Sequence, residues 1–272
     1  MRLMNKARTA ISYTLMGMRL GCSVIDKINL GTMLFRYKTK LLLNWPRKIH
    51  CVNIKGLVFP LFIREEDIDI LYSIFYRKDY LFQEMAVARP SVIIDLGAHI
   101  GLASIFFNTL FPNARIYCFE PDPLNFQLLE KNTSFFDNLA LYQVAIGGST
   151  GETILYSDSE RHALSTIRTK YDRKASQIQV KIRTLDEVLA EIGNVDLLKF
   201  DVEGSEYEIF ANSQLVKRVL QLVGEVHGKS VNVGDFLALF PTKCHHVRSF
   251  GTEHIVYLHD LSIDCTKATS GG

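Results

Sequence analysis

Beyond residue 90 the chain alternates short apolar runs with longer segments of helical periodicity. The runs SVIIDL, RIYCFE and VDLLKFDV are compact and rich in β-branched and aromatic residues, which is typical of buried strands. Between them, GLASIFFNTLF, PLNFQLLEKNTSFF and TLDEVLAEI place apolar residues three and four positions apart, as in helices. Strands separated by helices in this way indicate βαβ units and a parallel sheet. LALYQVAI predicts a further strand of that sheet, and GETILYS and IQVKIRT predict an inserted β element.

The chain before residue 91 has a different pattern. Residues 1–50 mix basic and apolar residues in helical fashion, and residues 51–63 predict short strands. In residues 64–85 the apolar positions recur at helical spacing after an acidic first turn, which predicts one amphipathic helix. We therefore expect a basic N-terminal extension over residues 1–63 and a main α/β domain over residues 64–272.

The charge of the chain is unevenly distributed. The net charge is only +2, but residues 1–50 hold ten Lys or Arg and a single acid, Asp26, so the rest of the chain is acidic overall. We favour the interpretation that this is a solvated basic face. The alternative is a surface that meets anionic lipid, phosphate or nucleic acid, and a peripheral membrane contact of the N-terminus is one such case.

Cysteine usage and hydropathy bear on the compartment. The five cysteines are scattered and have neither metal-ligand nor disulfide-framework spacing, so a reducing, cytoplasmic setting is expected. The longest uncharged stretch, residues 96–114, is interrupted by Pro112 and by polar residues, so no membrane span is predicted. Residues 9–18 lack a convincing cleavage site, and an N-terminal signal is not favoured.

The turn DLGAHIG after the first strand of the α/β region is the first candidate site. Gly97 and Gly101 would let the backbone approach a ligand at the N-terminus of the next helix. The spacing differs from the dinucleotide fingerprint, and Asp95 would repel a pyrophosphate but attract an ammonium group. S-Adenosylmethionine has a cationic amino acid end and no phosphate, so it suits this turn. His99 could donate a hydrogen bond to the carboxylate of that ligand.

A second acid, Glu120, ends the next strand. It lies 23 residues after Gly97, and an acid about 20 residues after the glycine turn is where a ribose diol is bound. Pro121 and Pro123 stiffen the loop around it, which argues against an incidental surface acid.

Charged residues also end two later strands. LLKFDVEGSE puts Lys199 and Asp201 at the end of one strand and Glu203 in the following loop, and GEVHG puts Glu225 and His227 at the end of the next. A histidine beside a carboxylate is suited to proton transfer near neutral pH. We therefore predict that His227 or Glu203 is a general base.

Two interpretations of the remaining acids accompany this prediction. Glu206 and Glu208 begin a helix and are predicted to complement its dipole. The three acids and the histidine at the two strand ends could also hold a divalent metal. We prefer the simpler expectation that no metal is bound and that the acids contact cofactor and backbone N–H groups.

In combination, these motifs resemble the FkbM-type family of S-adenosylmethionine-dependent methyltransferases. The resemblance runs from about residue 64 to 257 and rests on the order of VIIDLGAHIG, CFEPDPLNFQLLEKN, VAIGG, ALSTI, TLDEVL, LKFDVEGSE and GEVHG. IREEDIDILYSIFYRKDY is similar to the lead-in of that family, including its terminal tyrosine. Residues 1–50 have no clear counterpart, and His99 stands where the family commonly has Asn.

The resemblance implies an α/β class I (Rossmann-like) methyltransferase fold, with a seven-stranded, mostly parallel sheet and an antiparallel terminal strand. The cofactor contacts that follow are Asp95, Gly97, Ala98, His99 and Gly101 at the methionine end, Glu120 with Asp122 or Asn125 at the ribose, Gln143 and Ala145 at the adenine, and Asp201. The candidate catalytic residues are His227, Glu203, Asp201 and Lys199.

The activity implied by the resemblance is O-methylation of a sugar, glycan or secondary metabolite. One alternative is an NAD-dependent oxidoreductase, which shares the strand order but not the glycine spacing; another is a non-catalytic, membrane-associated binding module. A nucleic-acid acceptor is not expected, because the body is acidic and DVEG replaces the motif used on flipped bases. The sequence is compatible with a homo-oligomer and does not name the acceptor.

Overall fold

The computed structural model describes residues 2–39, 48–54, 56–85, 87–157, 165–166, 176–228 and 231–260. The contacts divide the chain into two compact units, Met1–Lys78 and Asp79–Gly272. The sequence places the boundary between extension and domain at residues 63 and 64, and that boundary stays a prediction. The two units are described separately.

The first unit combines a helical hairpin with a two-stranded antiparallel sheet. Its elements are α1 (Arg2–Leu20), α2 (Val24–Lys38), β1 (Lys48–Ile54), β2 (Leu57–Phe62) and α3 (Ile68–Leu71). Ser23 caps α2, and its hydroxyl and the Asp26 carboxylate form a capping box that satisfies backbone N–H groups of the first turn. These elements agree with the helical and strand-like patterns of residues 1–63.

The single helix predicted over residues 64–85 is wrong in extent. The chain forms a 3-10 turn at Glu65–Asp67, then α3, and then a wider π-helical segment at Tyr72–Arg77. Lys78 adopts a left-handed conformation with φ 59° and ends the helix. The apolar spacing correctly indicates the buried face of this segment, but it does not reveal where the backbone leaves the helix.

The helical hairpin exposes apolar side chains between basic ones. Ile11, Leu15 and Met18 lie at four- and three-residue spacing on α1 and are exposed, as are Ile25 and Ile28 on α2. Contact of this surface with a membrane stays a prediction. Among the described residues, no helix is both long and apolar enough to cross a bilayer.

The cysteine spacing does not predict a disulfide framework, yet Cys22 is disulfide-bonded. Cys118 and Cys244 are free. A disulfide is unusual in a reducing compartment, so cysteine usage no longer supports the cytoplasmic setting, which stays a prediction.

The second unit begins with the alternation that the sequence predicts. Its first elements are β3 (Val92–Leu96), α4 (Leu102–Leu110), β4 (Arg115–Phe119), α5 (Pro123–Thr133), β5 (Leu139–Tyr142), β6 (Ala145–Gly147), β7 (Gly151–Ser157) and β8 (Ser165–Thr166). They are followed by β9 (Ser176–Thr184), α6 (Leu185–Ile192), β10 (Leu197–Phe200), α7 (Glu206–Ala211), β11 (Gln221–His227), α8 (Val233–Leu237), β12 (Lys243–Phe250) and β13 (Glu253–Asp260).

The main sheet has seven strands in the order β12-β13-β11-β10-β3-β4-β5. Strand β13 is antiparallel to both of its neighbours, and the strands from β11 to β5 pair in parallel. The hairpin between β12 and β13 turns at Gly251, which has φ 68°. This confirms the predicted class I methyltransferase fold with an antiparallel terminal strand.

The core lies against this sheet and explains the apolar runs. All four residues of β10 are buried, as is typical of a parallel strand covered on both faces. Phe200 contacts Phe210 of α7 and Phe236 of α8 with ring centroids 4.9 and 5.4 Å apart. The strand ends that carry the candidate residues are therefore fixed by a well-packed interior.

A second sheet has the order β6-β9-β7-β8. The prediction of one strand for LALYQVAI is wrong, because β5 ends the main sheet at Tyr142 and β6 pairs with β9 instead. The helix predicted from TLDEVLAEI is confirmed as α6, and Thr184 and Glu187 form a capping box at its start. Most of the ALSTI motif lies outside the described residues.

Candidate active site

The carboxyl ends of β3, β4, β10 and β11 bring the candidate residues of the second unit together. Lys199 on β10 is opposite Asp95 on β3 and Val223 on β11 in the parallel register. Since parallel strands end at one edge, the turn after β3 and the charged residues after β10 and β11 share that edge. Ligands of open α/β sheets bind at such an edge.

Gly97 sits at the tightest point of this edge. Its backbone has φ 71°, and a Cβ atom there would lie 1.9 Å from the carbonyl oxygen of Asp201. The N–H groups of Gly97 and Ala98 both donate to the carbonyl oxygen of Phe119 at 3.0 Å. The turn is thus held between the ends of β4 and β10, and only glycine fits it.

His99 lies in the same turn in a left-handed conformation, with φ 53°. Its backbone N–H donates to Oε2 of Glu120 at 2.8 Å. Asn and His are enriched among the non-glycine residues that adopt this conformation. The left-handed backbone therefore explains why this position has His here and Asn in the family that the sequence resembles. A contact of the His99 imidazole with a cofactor stays a prediction.

Glu120 is buried at the end of β4, and backbone N–H groups hold both of its oxygens. Oε1 accepts from the N–H of Asp122 at 2.9 Å, and Oε2 accepts from His99. Burial raises the pKa of Glu120 to about 7, although these hydrogen bonds act in the opposite direction. The carboxyl group is therefore fixed in place and changes its charge near neutral pH.

Asp122 and Asn125 support Glu120 from the start of α5. Asp122 caps the helix by accepting from the N–H groups of Leu124 and Asn125, at 2.8 and 3.2 Å. The Asn125 side chain lies 3.5 Å from Oε1 of Glu120. Both residues are buried and have structural partners, and their direct contact with a ribose stays a prediction.

The two residues predicted to border the adenine differ in exposure. Gln143 is exposed in the link between β5 and β6. Ala145 is buried and packs with Leu155 and Val180 inside the small sheet. Their contact with an adenine ring stays a prediction, and for Ala145 it would involve the backbone.

Asp95 and Lys199 form a buried ion pair beneath the turn. Lys199 Nζ lies 2.9 Å from Oδ1 of Asp95 and donates to the carbonyl oxygen of Gly97 at 2.8 Å. Ser104 donates to the other Asp95 oxygen at 2.6 Å. Burial disfavours the ammonium, but the charges of Asp95 and Asp201 outweigh this and raise the pKa of Lys199. An ammonium that keeps its proton in this way cannot act as a base. A catalytic role for Lys199 stays a prediction, as does a cofactor contact for Asp95.

Glu206 is the main residue that sequence reasoning missed. Instead of facing solvent as a dipole complement, it is fully buried, and its Oε1 lies 2.8 Å from Nδ1 of His227. The same oxygen accepts from the N–H of Gly204 at 2.9 Å. This contact fixes the imidazole ring, and the interpretation of Glu206 as a simple dipole complement is wrong.

The other ring nitrogen of His227 faces three carboxylates. Nε2 lies 3.4 Å from Glu203, 3.9 Å from Asp201 and 3.9 Å from Glu225. Burial lowers the pKa of His227, but the Glu206 hydrogen bond and the Asp201 charge prevail and raise it to about 10. Burial and the charge of Asp201 raise the pKa of Glu203 and of Glu225 to about 8. Glu203 and Glu225 thus retain protons near neutral pH that isolated carboxyl groups would lose.

Tyr80 is a second residue that the site prediction omitted. Its hydroxyl donates to Oδ2 of Asp201 at 3.1 Å, and Lys199 Nζ lies 5.5 Å from the centre of its ring. Burial, followed by the charge of Asp201, raises the pKa of Tyr80, so the hydroxyl remains a donor. Tyr80 is the terminal tyrosine of the lead-in segment, which was the available signal.

Three of these side chains converge in the manner of metal ligands. Asp201, Glu225 and His227 each offer one ligand atom, and the three atoms lie within 4.8 Å of one another. The site therefore has two parts at one sheet edge. One is a glycine turn beside a buried acid, and the other is a cluster of carboxylates around an oriented imidazole.

Comparison with known proteins identifies a family. The model described as "Methyltransferase FkbM domain" matches residues 95–255, which is more than half of the chain. The chain is 30% identical over 139 residues to 2-O-methyltransferase NoeI from Sinorhizobium fredii, covering 45% of this chain and 57% of that protein. It is 25% identical over 141 residues to Methyltransferase 1 from Beauveria bassiana, with 44% and 57% covered.

A third relative is longer in its match. The 31-O-demethyl-FK506 methyltransferase FkbM from Streptomyces tacrolimicus is 26% identical over 200 residues, covering 61% of this chain and 77% of that protein. For the first two relatives, the match spans only a little over half of their length. Among solved structures, precorrin-6y C5,15-methyltransferase from Geobacter metallireducens has a TM-score of 0.43 at 15% identity, covering 76% of this chain and 93% of that one.

Proposed function

The chain belongs to the FkbM methyltransferase family, and from that premise we propose that it methylates a hydroxyl oxygen of a sugar, glycan or secondary metabolite. The observation that supports this most is the cluster of carboxylates around His227, which lies at the same sheet edge as the glycine turn. A site that binds an uncharged hydroxyl needs polar groups beside the methyl donor. One relative is named as a 2-O-methyltransferase, and the name of another includes a 31-O-demethyl substrate. Both are distant from this chain, at 30% and 26% identity.

S-Adenosylmethionine is the cofactor, and the residues at this edge fit it. Its sulfonium supplies an activated methyl group. The Gly97 turn leaves no room for a side chain because it packs directly on the carbonyl oxygen of Asp201, and a turn of this kind at the start of a helix suits close approach of a ligand. Glu120 is a buried carboxylate whose orientation backbone N–H groups fix, and such a carboxylate suits the hydroxyl groups of a ribose.

A hydroxyl group is a poor nucleophile, so it must lose its proton as the new bond to oxygen forms. We assign the uptake of that proton to Glu203 or His227, each in its deprotonated form; with pKa values raised to about 8 and about 10, Glu203 reaches this form closer to neutral pH than His227 does. Both lie beside Asp201 at neighbouring strand ends: Glu206 contacts Nδ1 of His227, and Glu203 lies 3.4 Å from Nε2, the other ring nitrogen. Glu206 and Tyr80 would act as positioning residues, since each holds a neighbouring side chain by a hydrogen bond. Glu206 holds the ring of His227, and Tyr80 holds the carboxylate of Asp201.

Two other functions were considered for this chain, an NAD-dependent oxidoreductase and a non-catalytic binding module. The family assignment argues against an NAD-dependent oxidoreductase, in agreement with the glycine spacing. A non-catalytic binding module would bind the cofactor without transferring its methyl group, and only an activity measurement separates it from an enzyme. Homo-oligomerisation and the exclusion of nucleic acid as an acceptor stay predictions.

The direct test is transfer of label from S-adenosylmethionine labelled in its methyl group. The protein is incubated with separate glycan, lipid and small-metabolite fractions, and the labelled product is isolated. We expect a methyl ether in the glycan or metabolite fraction. Label on nitrogen or in nucleic acid would contradict the proposed acceptor. Cofactor binding without transfer to any fraction would favour the binding module, and a thermal shift with NAD but not with S-adenosylmethionine would favour the oxidoreductase.

Glu120 gives a prediction about pH. Because its pKa is raised to about 7, the carboxyl is ionised above pH 7 and protonated below it. An ionised carboxylate accepts hydrogen bonds from a diol more strongly, so cofactor affinity should fall as the pH is lowered from 8 to 6. Glu120→Gln should weaken binding by at least about tenfold at pH 8, as expected for a charged hydrogen bond, and should flatten the pH dependence. Isothermal titration calorimetry measures both effects.

The matched control for Glu120→Gln is Glu130→Gln, the same exchange at an exposed acid on α5. It should leave both the affinity and its pH dependence unchanged. If Glu120→Gln bound the cofactor as tightly as the unaltered protein at pH 8, Glu120 would not contact the ribose.

A further inference from the structure

The side chains at the ends of β10 and β11 also have a mutual spacing that acid–base chemistry does not explain. We propose that Asp201, Glu225 and His227 bind one divalent cation of the Mg²⁺ or Mn²⁺ type, which would coordinate the acceptor hydroxyl. The cation site stands on geometry alone, whereas its role toward a hydroxyl rests on the proposed function. This replaces our sequence-based expectation that no metal is bound.

The candidate ligand atoms have the spacing of a metal site. One atom from each of the three residues lies within 4.8 Å of the other two. Ions of this class bind oxygen or nitrogen at roughly 2.0–2.6 Å, so two ligands of one ion are separated by about 3–5 Å. Two carboxylates and one imidazole, completed by water, form a coordination set that these ions accept. Little movement would be needed to close the site around an ion.

The imidazole ring of His227 is held in a fixed orientation. Glu206 is fully buried and binds Nδ1 of His227 at 2.8 Å, while the N–H of Gly204 holds the same oxygen. The ring therefore presents Nε2 to Asp201 and Glu225. Histidines that ligate metals almost always donate their other ring N–H to such a partner, because this fixes the ring and increases the basicity of the ligating nitrogen.

Two carboxylate oxygens at this site are buried without a hydrogen-bond partner. Among the residues that the structure describes, Oδ1 of Asp201 and Oε2 of Glu206 are inaccessible to solvent and have no hydrogen-bond partner. Oδ1 of Asp201 is the oxygen that faces His227, whereas Oδ2 is held by Tyr80. A buried acceptor without a partner destabilises the fold, and a cation between Asp201 and His227 would supply the missing partner of Oδ1.

Acidic groups outnumber basic ones around His227. Four carboxylates, those of Asp201, Glu203, Glu206 and Glu225, surround one imidazole within 3.9 Å of its ring nitrogens. Like charges at this spacing repel each other strongly where water is scarce. Where these groups are ionised, a divalent cation would offset two of their charges. It would also stabilise the ionised form of a bound hydroxyl, as metal ions do for bound water, with Glu203 beside it to accept the proton.

Binding of Mn²⁺ tests the site without any need for turnover. The full-length protein, freed of metal with a chelator, is titrated with Mn²⁺ alone and followed by electron paramagnetic resonance and calorimetry. We expect one saturable site. Glu225→Gln should weaken binding by at least about tenfold, a loss that is typical when a ligand or its support is removed from a metal site. Glu206→Gln should weaken binding in the same direction although it is not a ligand.

The matched control is Glu253→Gln, which removes an exposed acid opposite His227 on the neighbouring strand. It lowers the local negative charge without removing a ligand, so it should change the affinity by less than about twofold. Thermal melting of each variant verifies that it is folded. Absence of saturable Mn²⁺ binding, or equal weakening by Glu225→Gln and Glu253→Gln, would overturn the site.

Activity measurements separate this proposal from the proposed function. With an acceptor in hand, chelation should abolish methyl transfer, and Mn²⁺ or Mg²⁺ should restore it. Full activity in the presence of chelator would overturn the catalytic role of the cation and leave the methyltransferase intact. Saturable Mn²⁺ binding without transfer to any acceptor would retain the cation site and count against the proposed function.

Discussion

Gly97→Ala is expected to abolish detectable binding of S-adenosylmethionine and to lower the free energy of unfolding by about 2–5 kcal/mol, the combined range for a left-handed backbone and an overpacked contact. The added Cβ would lie 1.9 Å from the carbonyl oxygen of Asp201, so the backbone at the ends of β3 and β10 must separate. That movement would displace both Asp201 and the N–H groups of the turn. Chemical denaturation measures the stability, and calorimetry measures the cofactor affinity.

Gly251→Ala is the matched control because it isolates the cost of the backbone conformation. Gly251 has φ 68°, close to the 71° of Gly97, but a Cβ there would meet nothing within 4 Å. We expect it to cost only about 1 kcal/mol and to leave cofactor binding unchanged. Equal destabilisation by the two substitutions would show that strain alone, and not the contact with Asp201, makes Gly97 necessary.

The sheet and its binding edge were predictable from the sequence for a simple reason. Strands such as VIIDL and LLKF are buried on both faces, so they form continuous apolar runs that end where the chain reaches the ligand-binding edge. In a parallel sheet the residues after these runs meet at one edge. This is why Asp95, Glu120 and Asp201 could be selected without knowledge of any contact.

The contacts among these residues were less predictable because they depend on register and packing. Lys199 follows the same rule as Asp201, yet the pairing of β10 with β3 places it opposite Asp95 and buries both charges. Glu206 looks like an ordinary acid in the first turn of a helix. Its contact with His227 arises because α7 packs so that this turn faces the end of β11, and no local pattern encodes that.

Local breaks in regular structure were also missed. The lead-in segment keeps its apolar spacing through Tyr72–Arg77, although the backbone widens there and ends at Lys78. Tyr80, which follows that end, reaches Asp201 across 121 positions of sequence. A spacing rule detects the buried face of a segment, whereas the direction in which the chain leaves a helix is set by tertiary contacts.

His227→Ala is expected to reduce turnover by at least about tenfold, the lower limit for losing a general base or a metal ligand, while affinity for S-adenosylmethionine changes by less than about twofold. The imidazole lies at the end of β11, whereas the turn and Glu120 that should hold the cofactor belong to β3 and β4. Single-turnover rates with an identified acceptor and calorimetric titration of the cofactor measure the two quantities. Unchanged turnover would exclude His227 from both of its proposed roles.

The control for His227→Ala must allow for lost stability, because the substitution leaves Glu206 buried without its partner, at a cost of about 1–3 kcal/mol. His254→Ala makes the same change on the adjacent strand, where the imidazole contacts Ser249, and should leave turnover unchanged.

Glu206→Gln then separates the two roles of His227. If the imidazole is a metal ligand, added Mn²⁺ should restore much of the activity of Glu206→Gln. If it is a base, excess metal should restore none, because a wrongly oriented ring still cannot take the proton.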